Sequence, residues 1–132
     1  MRPSGVHHVS INVDDVEAAL DFYVGKLGLS PRSDRPNFGF GGAWLDVGKS
    51  GGQVHLIEGD PPRPAGQHFA IRVDDLAATV AELRAAGVDV TDPSPVGTSL
   101  QSFLSDPAGN QVELHEVGGT ARAGKASTSA GV

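Results

Sequence analysis

The sequence predicts an α+β fold built from two βαβββ modules in a chain of 132 residues. The first observation is a repeated line, HVSINVDD at residues 8–15 and HFAIRVDD at residues 68–75. The second is that each copy is followed by apolar residues at helical spacing. The third is that each half closes with a hairpin whose last strand begins Gln-Val, at Gln53 and at Gln111. Elements that recur in the same order indicate one structural unit used twice.

The repeated lines are the first strand of each module, and each leads into a helix. In DDVEAALDFYVGKLG, Asp14 with Glu17 three residues later is a predicted N-terminal cap, and Gly28 a C-terminal stop. The apolar residues of this segment recur on one helical face: Val16, Ala19, Leu20, Tyr23, Val24 and Leu27. DDLAATVAELRAAG repeats the pattern up to Gly87 with these residues: Leu76, Val80 and Leu83.

Three further strands are predicted in each module. In the first module they occupy residues 29–32, 42–47 and 53–58; in the second they occupy residues 88–91, 101–105 and 111–116. A glycine-rich turn joins the last two strands of the first module. DPAGN joins the corresponding strands of the second, and its Asp-Pro and Gly-Asn steps favour a tight turn.

The chain is predicted to hold one domain. The first module spans about residues 5–58 and the second about residues 67–117. The proline-rich linker at residues 59–66 is too short to separate independent domains. Residues 118–132 contain no large apolar side chain before Val132, so we expect a disordered tail.

Composition and charge exclude several classes of partner. A net charge of −6, with 10 Lys and Arg against 16 Asp and Glu, argues against nucleic acid, which requires a basic face. No apolar run approaches the roughly 20 residues that span a bilayer, and the N-terminus lacks a secretory signal. The absence of cysteine excludes disulfides and thiolate ligands. We therefore expect a cytoplasmic protein that binds neither nucleic acid nor membrane.

Strand alternation predicts a group of metal-binding side chains on the helix-free side of the sheet. His8 and His68 open the two repeated strands in the phase opposite to the apolar residues. His55 in QVHLIE and Glu113 in QVELHE occupy matching positions in that same phase. Three imidazoles and a carboxylate suit a divalent transition metal, with room left for water or substrate.

The two remaining histidines have different expected roles. His7 falls in the apolar phase and is predicted to be structural. His115 shares the face of Glu113 one pleat further on. It is either a polar residue at a strand end or a partner that supports Glu113 or carries a proton.

Several side chains are candidate substrate contacts in the same region. RPNFGFGGAW at residues 35–44 supplies three aromatic rings that form either an apolar lid or part of the core. Arg72 has two expected roles. It either binds a carboxylate or phosphate of the substrate, or it balances the negative charge of the protein surface. The candidate substrate-binding residues are Ser10, Asn12, Phe38, Phe40, Trp44, Arg72 and Phe103.

Residues 5–117 resemble the vicinal oxygen chelate superfamily, which includes glyoxalase I, extradiol dioxygenases, fosfomycin-resistance enzymes and bleomycin-binding proteins. The resemblance is carried by HHVSINVDDVEAALDFYVGKLGL, GAWLDVG with QVHLIE, HFAIRVDDL and DPAGNQVELHE. It implies a sheet that curls into a cleft around a metal held by one residue from each of four strands. His8, His55, His68 and Glu113 fall on those positions.

The resemblance implies a glyoxalase I-like lyase or isomerase, a homodimer that acts on a small vicinal-oxygen substrate through an enediolate-type intermediate. The ion, one of Ni, Co, Zn, Mn or Fe, would stabilise the developing oxyanion as a Lewis acid. Well-known glyoxalase I enzymes carry a carboxylate where His55 stands. The resemblance then implies that Glu113 would be the one anionic ligand and would also serve as the catalytic base. A divalent ion would keep about one unit of positive charge for an anionic substrate oxygen.

Two alternatives remain open within this superfamily. An extradiol dioxygenase would use His8, His68 and Glu113 as a two-His, one-carboxylate iron site. In that case His55 would fill a coordination position that catechol and oxygen need. A non-catalytic resistance protein would instead sequester an aromatic drug in the grooves of a dimer.

Overall fold

The computed structural model describes residues 1–49 and 51–121. The chain runs strand, helix and three strands twice, which confirms the predicted α+β class with two βαβββ modules. The strands are β1 (His8–Val13), β2 (Ser30–Pro31), β3 (Gly42–Val47), β4 (Gly52–Glu58), β5 (His68–Arg72), β6 (Ser94–Val96), β7 (Ser99–Ser105) and β8 (Gln111–Glu116). The helices are α1 (Val16–Leu20), which continues as a π-helix over Asp21–Lys26, and α2 (Leu76–Ala85). In the described ranges no helix is long and apolar enough to cross a membrane.

Each module forms its own four-stranded mixed sheet. The strand orders are β1-β4-β3-β2 and β5-β8-β7-β6, with β1 parallel to β4 and β5 parallel to β8. In the first sheet His55 lies opposite Ser10 on one side and opposite Trp44 on the other. In the second, Glu113 lies opposite Ala70. Residues in register share a face, so each of these rows presents its side chains to the same side of its sheet.

The chain divides into two compact units. The first comprises Met1–Gln67 together with Ser105–Asn110, and the second comprises His68–Leu104 and the chain from Gln111 onward. The core of the first unit contains Val13, Ala19, Phe22, Tyr23, Leu29, Leu45, Val54 and Leu56. The core of the second contains Leu76, Val80, Leu83, Val90, Leu104, Val112 and Leu114. The apolar phase of β4 and β8 is therefore buried, as the alternation predicts.

Aspartates begin both helices and glycines end them. Asp15 accepts a hydrogen bond from the backbone N–H of Ala18 at 3.1 Å, so Asp15 and not the predicted Asp14 caps α1. The cap lies one residue later because helical geometry starts at Val16. The predicted stops at Gly28 and Gly87 have φ values of +77° and +83°, which glycine adopts with least strain.

The chain after Leu20 winds more widely than an α-helix. The N–H of Leu27 donates to the carbonyl of Phe22 at 2.9 Å, an i to i−5 bond typical of π-helices. The wider turn buries Phe22, which the 3.6-residue pattern leaves off the apolar face, beside Tyr23. The two rings meet edge to face at 5.0 Å between centroids. One extra residue in the turn therefore brings two adjacent aromatic side chains into the core.

The strand expected at residues 88–91 begins later, at Ser94. Thr91 still runs beside β7, because its N–H donates to the carbonyl of Phe103 at 3.0 Å and its hydroxyl accepts from the N–H of Phe103 at 2.8 Å. Pro93 and Pro95 have no N–H and interrupt the ladder between these points. The sequence pattern therefore predicts the edge strand correctly but assigns it to residues that precede the observed β6.

The first residues of the expected tail pack against the second unit's sheet. Thr120 donates from its N–H and from its hydroxyl to the carbonyl of Thr98, at 3.2 and 2.8 Å, and Gly119 is buried. Thr120 thus contacts the chain at the start of β7, and the expectation of a disordered tail stays a prediction. The rest of the expected tail, residues 122–132, lies outside the described residues.

Asp106 organises the DPAGN turn from a buried position in the first unit. Its Oδ1 accepts from the N–H groups of Ala108 and Asn110 at 2.9 and 2.8 Å. Its Oδ2 accepts from the Tyr23 hydroxyl at 2.7 Å and from Asn110 Nδ2 at 3.0 Å. Burial raises the pKa of Tyr23 well above its usual range, and the negative charge of Asp106 adds to this effect. The phenol therefore remains a hydrogen-bond donor at any physiological pH.

Gly42 is a position where a side chain cannot be accommodated. A Cβ atom there would collide with the backbone carbonyl oxygen of Leu56 on the neighbouring strand. We expect Gly42→Ala to lower the free energy of unfolding by about 2–3 kcal/mol, because the strands must separate locally. Urea denaturation measures this, with Gly25→Ala as control, since a Cβ at Gly25 meets no atom within 4 Å. Equal denaturation midpoints for the two variants would contradict the prediction.

Candidate metal and substrate site

The first unit presents a stack of three rings on the helix-free face of its sheet. His55 on β4 is 8% exposed and lies between His8 and Trp44. The His55 and His8 ring centroids are 3.9 Å apart with planes at 13°, and those of His55 and Trp44 are 4.5 Å apart with planes at 12°. Strand register explains the stack. Trp44 on β3 is the direct partner of His55, and His8 lies two residues before Ser10, which is the partner of His55 on β1. Two predicted metal ligands and one predicted substrate contact are therefore brought together.

Polar contacts and burial fix the state of His55. Its Nε2 lies 2.8 Å from Oε1 of Gln53. Burial lowers the pKa of His55, and positive charge on His8, His7 and Arg32 acts in the same direction. The imidazole is therefore neutral at pH 7, which is the form that binds metal ions.

His7 does not have the buried structural role expected from its phase. It is exposed, and its Nδ1 lies 2.9 Å from Nδ1 of His8. His7 directly precedes β1, which begins at His8. Its observed role is contact with the His8 ring.

In the second unit, Glu113 on β8 is held by two imidazoles. The residue is 8% exposed, and its carboxylate places Oε1 at 3.0 Å from His68 Nε2 and Oε2 at 2.7 Å from His115 Nδ1. The Phe103 ring meets His68 edge to face at 5.5 Å. Of the two roles considered for His115, direct support of Glu113 is the one that the geometry favours.

The donor atoms of the four predicted ligands suit a divalent first-row metal, since imidazole nitrogen and carboxylate oxygen are its usual ligands. His68 Nε2 and Glu113 Oε1, 3.0 Å apart, have the separation of two neighbouring ligands each about 2.1 Å from one ion. The parallel rings of His8 and His55 would need a rotation of one ring to aim both at one point. Within neither unit do the described residues arrange three His, Asp or Glu side chains around one ion. The four-residue site therefore stays a prediction.

A pocket of about 150 Å³ opens beside the His55 stack in the first unit. Phe38 and Phe40 are each 48% exposed, so their loop is not part of the core. Their rings stack at 5.4 Å, and Phe38 lies 6.1 Å from Trp44 at an angle of 50°. The pocket is lined by Ser10, Arg35, Phe38, Phe40, Trp44, His55, Leu56 and Ile57. Four of the predicted substrate contacts are thus lining residues.

The other predicted contacts have different surroundings. Asn12 Nδ2 donates to the carbonyl of Asp60 at 3.1 Å, so this amide holds the linker. Arg72 is exposed and in register with His115 on β8. Phe103 contacts His68 in the second unit.

Sequence reasoning missed Arg35 and Gln53 and left His115 undecided. Gln53 and His115 lie two residues from His55 and Glu113, and this spacing on a strand signals a shared face. Arg35 opens the aromatic segment RPNFGFGGAW. Its position in a loop carries no periodic signal.

Comparisons with known proteins indicate one superfamily. The sequence pattern of the Glyoxalase/Bleomycin resistance protein/Dioxygenase superfamily matches residues 5–114. Lactoylglutathione lyase of Haemophilus influenzae is 31% identical over 121 residues, which cover 83% of this chain and 90% of that protein. A probable lactoylglutathione lyase of Vibrio cholerae is 32% identical over 123 residues, covering 81% and 86%.

A solved structure of similar shape has a different function. The antibiotic-binding protein TnmS3 from Streptomyces sp. CB03234 superposes with a TM-score of 0.75 at 30% identity. The match covers 88% of this chain and 98% of that one. Relatives of this chain therefore include both enzymes and a binding protein.

Proposed function

Because this chain belongs to the Glyoxalase/Bleomycin resistance protein/Dioxygenase superfamily, we propose that it is a metal-dependent isomerase of the glyoxalase I type. Its proposed substrate is the hemithioacetal formed from a 2-oxoaldehyde and a thiol. The observation that carries the proposal is the buried Glu113 carboxylate, whose two oxygens are held separately by His68 and His115. Identity of 31% with a lactoylglutathione lyase over most of both chains supports it.

In this proposal His8, His55, His68 and Glu113 hold one divalent ion. When bound, the ion supplies Lewis-acid stabilisation of the negative charge that develops on two neighbouring substrate oxygens. Three of the four residues are neutral imidazoles, so the charge of the ion is only partly compensated. The site should therefore favour an anionic oxygen over a neutral one.

Glu113 is the proposed proton carrier. It removes the proton from the hemithioacetal carbon, and the electron pair of that C–H bond becomes the double bond of an enediolate. The proton then returns to the adjacent carbon, and the hydroxyl proton of the hemithioacetal passes to the neighbouring oxygen, which yields a 2-hydroxy thioester with no net oxidation. His115 keeps Oε2 in a fixed direction throughout, so one carboxylate oxygen remains oriented toward His68.

Metal uptake tests the ligand set separately from turnover. We expect dialysis against Ni, Co, Zn, Mn or Fe to load one ion per site in the wild type. His68→Ala should lose stoichiometric uptake, because imidazole nitrogens provide most of the donors. Elemental analysis of the dialysed protein is the measurement. Asp92→Ala removes an exposed side chain of the same module and serves as control. Uptake by His68→Ala equal to that of the control would reject the ligand set.

Sequestration of an aromatic compound is the second candidate function. It is favoured by the likeness to TnmS3 and by the aromatic pocket beside Trp44. Protein without metal that binds an aromatic drug and turns over no hemithioacetal would support sequestration.

Iron in the purified protein, together with turnover of catechol in air, would instead support the dioxygenase. We also propose a homodimer, which light scattering of the purified chain tests.

A further inference from the structure

The pocket of the first unit has features that define a ligand class. We propose that it binds a single aromatic ring bearing a carboxylate, with the ring against Phe38 and Trp44 and the carboxylate against Arg35. This inference rests on the proposed function, because it assigns the side group that a preferred substrate would carry. The binding itself can be measured without turnover.

The size of the pocket sets the ligand's apolar part. An open pocket of about 150 Å³ with mostly apolar walls has room for one benzene ring. Leu56 and Ile57 join the aromatic side chains among the lining residues. A planar ring can stack or meet these rings edge-on, which adds attraction beyond the burial of area. One ring fills this volume, and any further part of the ligand would lie outside the pocket.

Exposure of the aromatic loop indicates that the pocket's wall is completed by a ligand. Phe38 and Phe40 each leave 48% of their surface exposed although they stack on each other. Neighbouring exposed aromatic rings commonly mark binding sites. A bound ring would remove part of this surface from water.

Arg35 sets the ligand's charge. Its guanidinium carbon lies 5.0 Å from the centroid of Phe38 and 5.6 Å from that of Phe40, and its Nη2 donates to the carbonyl of Phe40 at 3.0 Å. The group is thus held in place by cation–π contacts and one hydrogen bond. That bond uses one of the five N–H donors of a guanidinium.

Arg35 also differs from its neighbour Arg32 in its partners. Arg32 forms ion pairs with Asp34 and Asp46 at 2.8 and 3.0 Å. In the part of the chain that the structure describes, no carboxylate lies within ion-pair distance of Arg35. A fixed cation in an aromatic pocket of a chain with net charge −6 is suited to an anionic ligand.

Intrinsic fluorescence provides the test, because Trp44 is the chain's one tryptophan. Phenylacetate is the probe, with benzyl alcohol as its neutral counterpart and cyclohexylacetate as its saturated counterpart. We expect saturable quenching by phenylacetate in the full chain, and binding about tenfold weaker for each counterpart. Arg35→Gln should weaken phenylacetate binding by about tenfold and leave benzyl alcohol unchanged, with Arg35→Lys in between. Arg63→Gln, the same charge change in the linker, should bind as the wild type does.

The outcomes separate this inference from the proposed function. Three results would each overturn the inference. They are equal binding of phenylacetate and either counterpart, phenylacetate binding by Arg35→Gln equal to that of the wild type, and the absence of saturable quenching. If Arg35→Gln does not fold, as judged by circular dichroism, the three probes on the wild type still decide. Probe binding without hemithioacetal turnover keeps the inference and rejects the proposed isomerase. Turnover of the hemithioacetal without probe binding keeps the proposed isomerase and rejects the inference.

Discussion

Glu113→Gln is expected to reduce kcat for hemithioacetal isomerisation by about 10²–10⁴-fold, the usual contribution of a positioned general base. Glutamine keeps the shape of the side chain but cannot accept the substrate proton. The hydrogen-bond partners on both sides, His68 and His115, remain in place. The rate is measured by the appearance of the thioester with metal in excess. KM should change less than kcat, because the lost interaction belongs to the proton transfer.

The metal content of the same Glu113→Gln sample separates loss of the base from loss of a ligand. Glu82→Gln is a matched control, since Glu82 is an exposed residue of α2. If Glu113→Gln retains its metal and turns over within about threefold of the control, Glu113 is not the proton carrier.

Asp106→Ala is expected to lower the free energy of unfolding by about 3–5 kcal/mol. The substitution removes the acceptor of four hydrogen bonds and leaves the hydroxyl of the fully buried Tyr23 without its 2.7 Å partner. Urea denaturation of the metal-free protein measures the change. Asp92→Ala, which removes an exposed aspartate, should change stability by less than about 1 kcal/mol.

A double-mutant cycle assigns part of this loss to the Tyr23 contact. Tyr23→Phe alone should cost about 1–2 kcal/mol, because a buried carboxylate oxygen loses one donor. Combined with Asp106→Ala, it should add less than its own cost, since the two residues share one interaction. Full additivity would show that the 2.7 Å hydrogen bond contributes nothing measurable.

The strand and helix order could be predicted from the sequence because each element has its own periodicity. Alternation in HVSINV and QVELHE gave the buried phase, and it placed His8, His55, His68 and Glu113 opposite that phase. Glycine at positions 28 and 87 marked the helix ends because only a residue without Cβ adopts the left-handed turn easily. Strand alternation and helix-ending glycines depend on residues close together in sequence, so they can be recognised without the tertiary structure.

The remainder depends on contacts that no local period encodes. The π-helical turn buries Phe22 together with Tyr23, and the acceptor of the Tyr23 hydroxyl comes from a distant turn. The Arg35 guanidinium is positioned by cation–π contacts with Phe38 and Phe40 in an irregular loop. Which strand positions face a common side follows from sequence, but which loop covers them does not.

The discontinuity of the first unit has a consequence for synthesis on the ribosome. Tyr23 and its acceptor Asp106 are separated by 83 positions, so a nascent chain that has completed β4 still lacks the oxygen on which that phenol depends. The amino-terminal half of the duplication can gain its full cooperativity only after the turn at Ser105–Asn110 has left the exit tunnel. Cutting the gene at the linker would therefore release an N-terminal fragment that lacks the Asp106 acceptor of the Tyr23 hydroxyl.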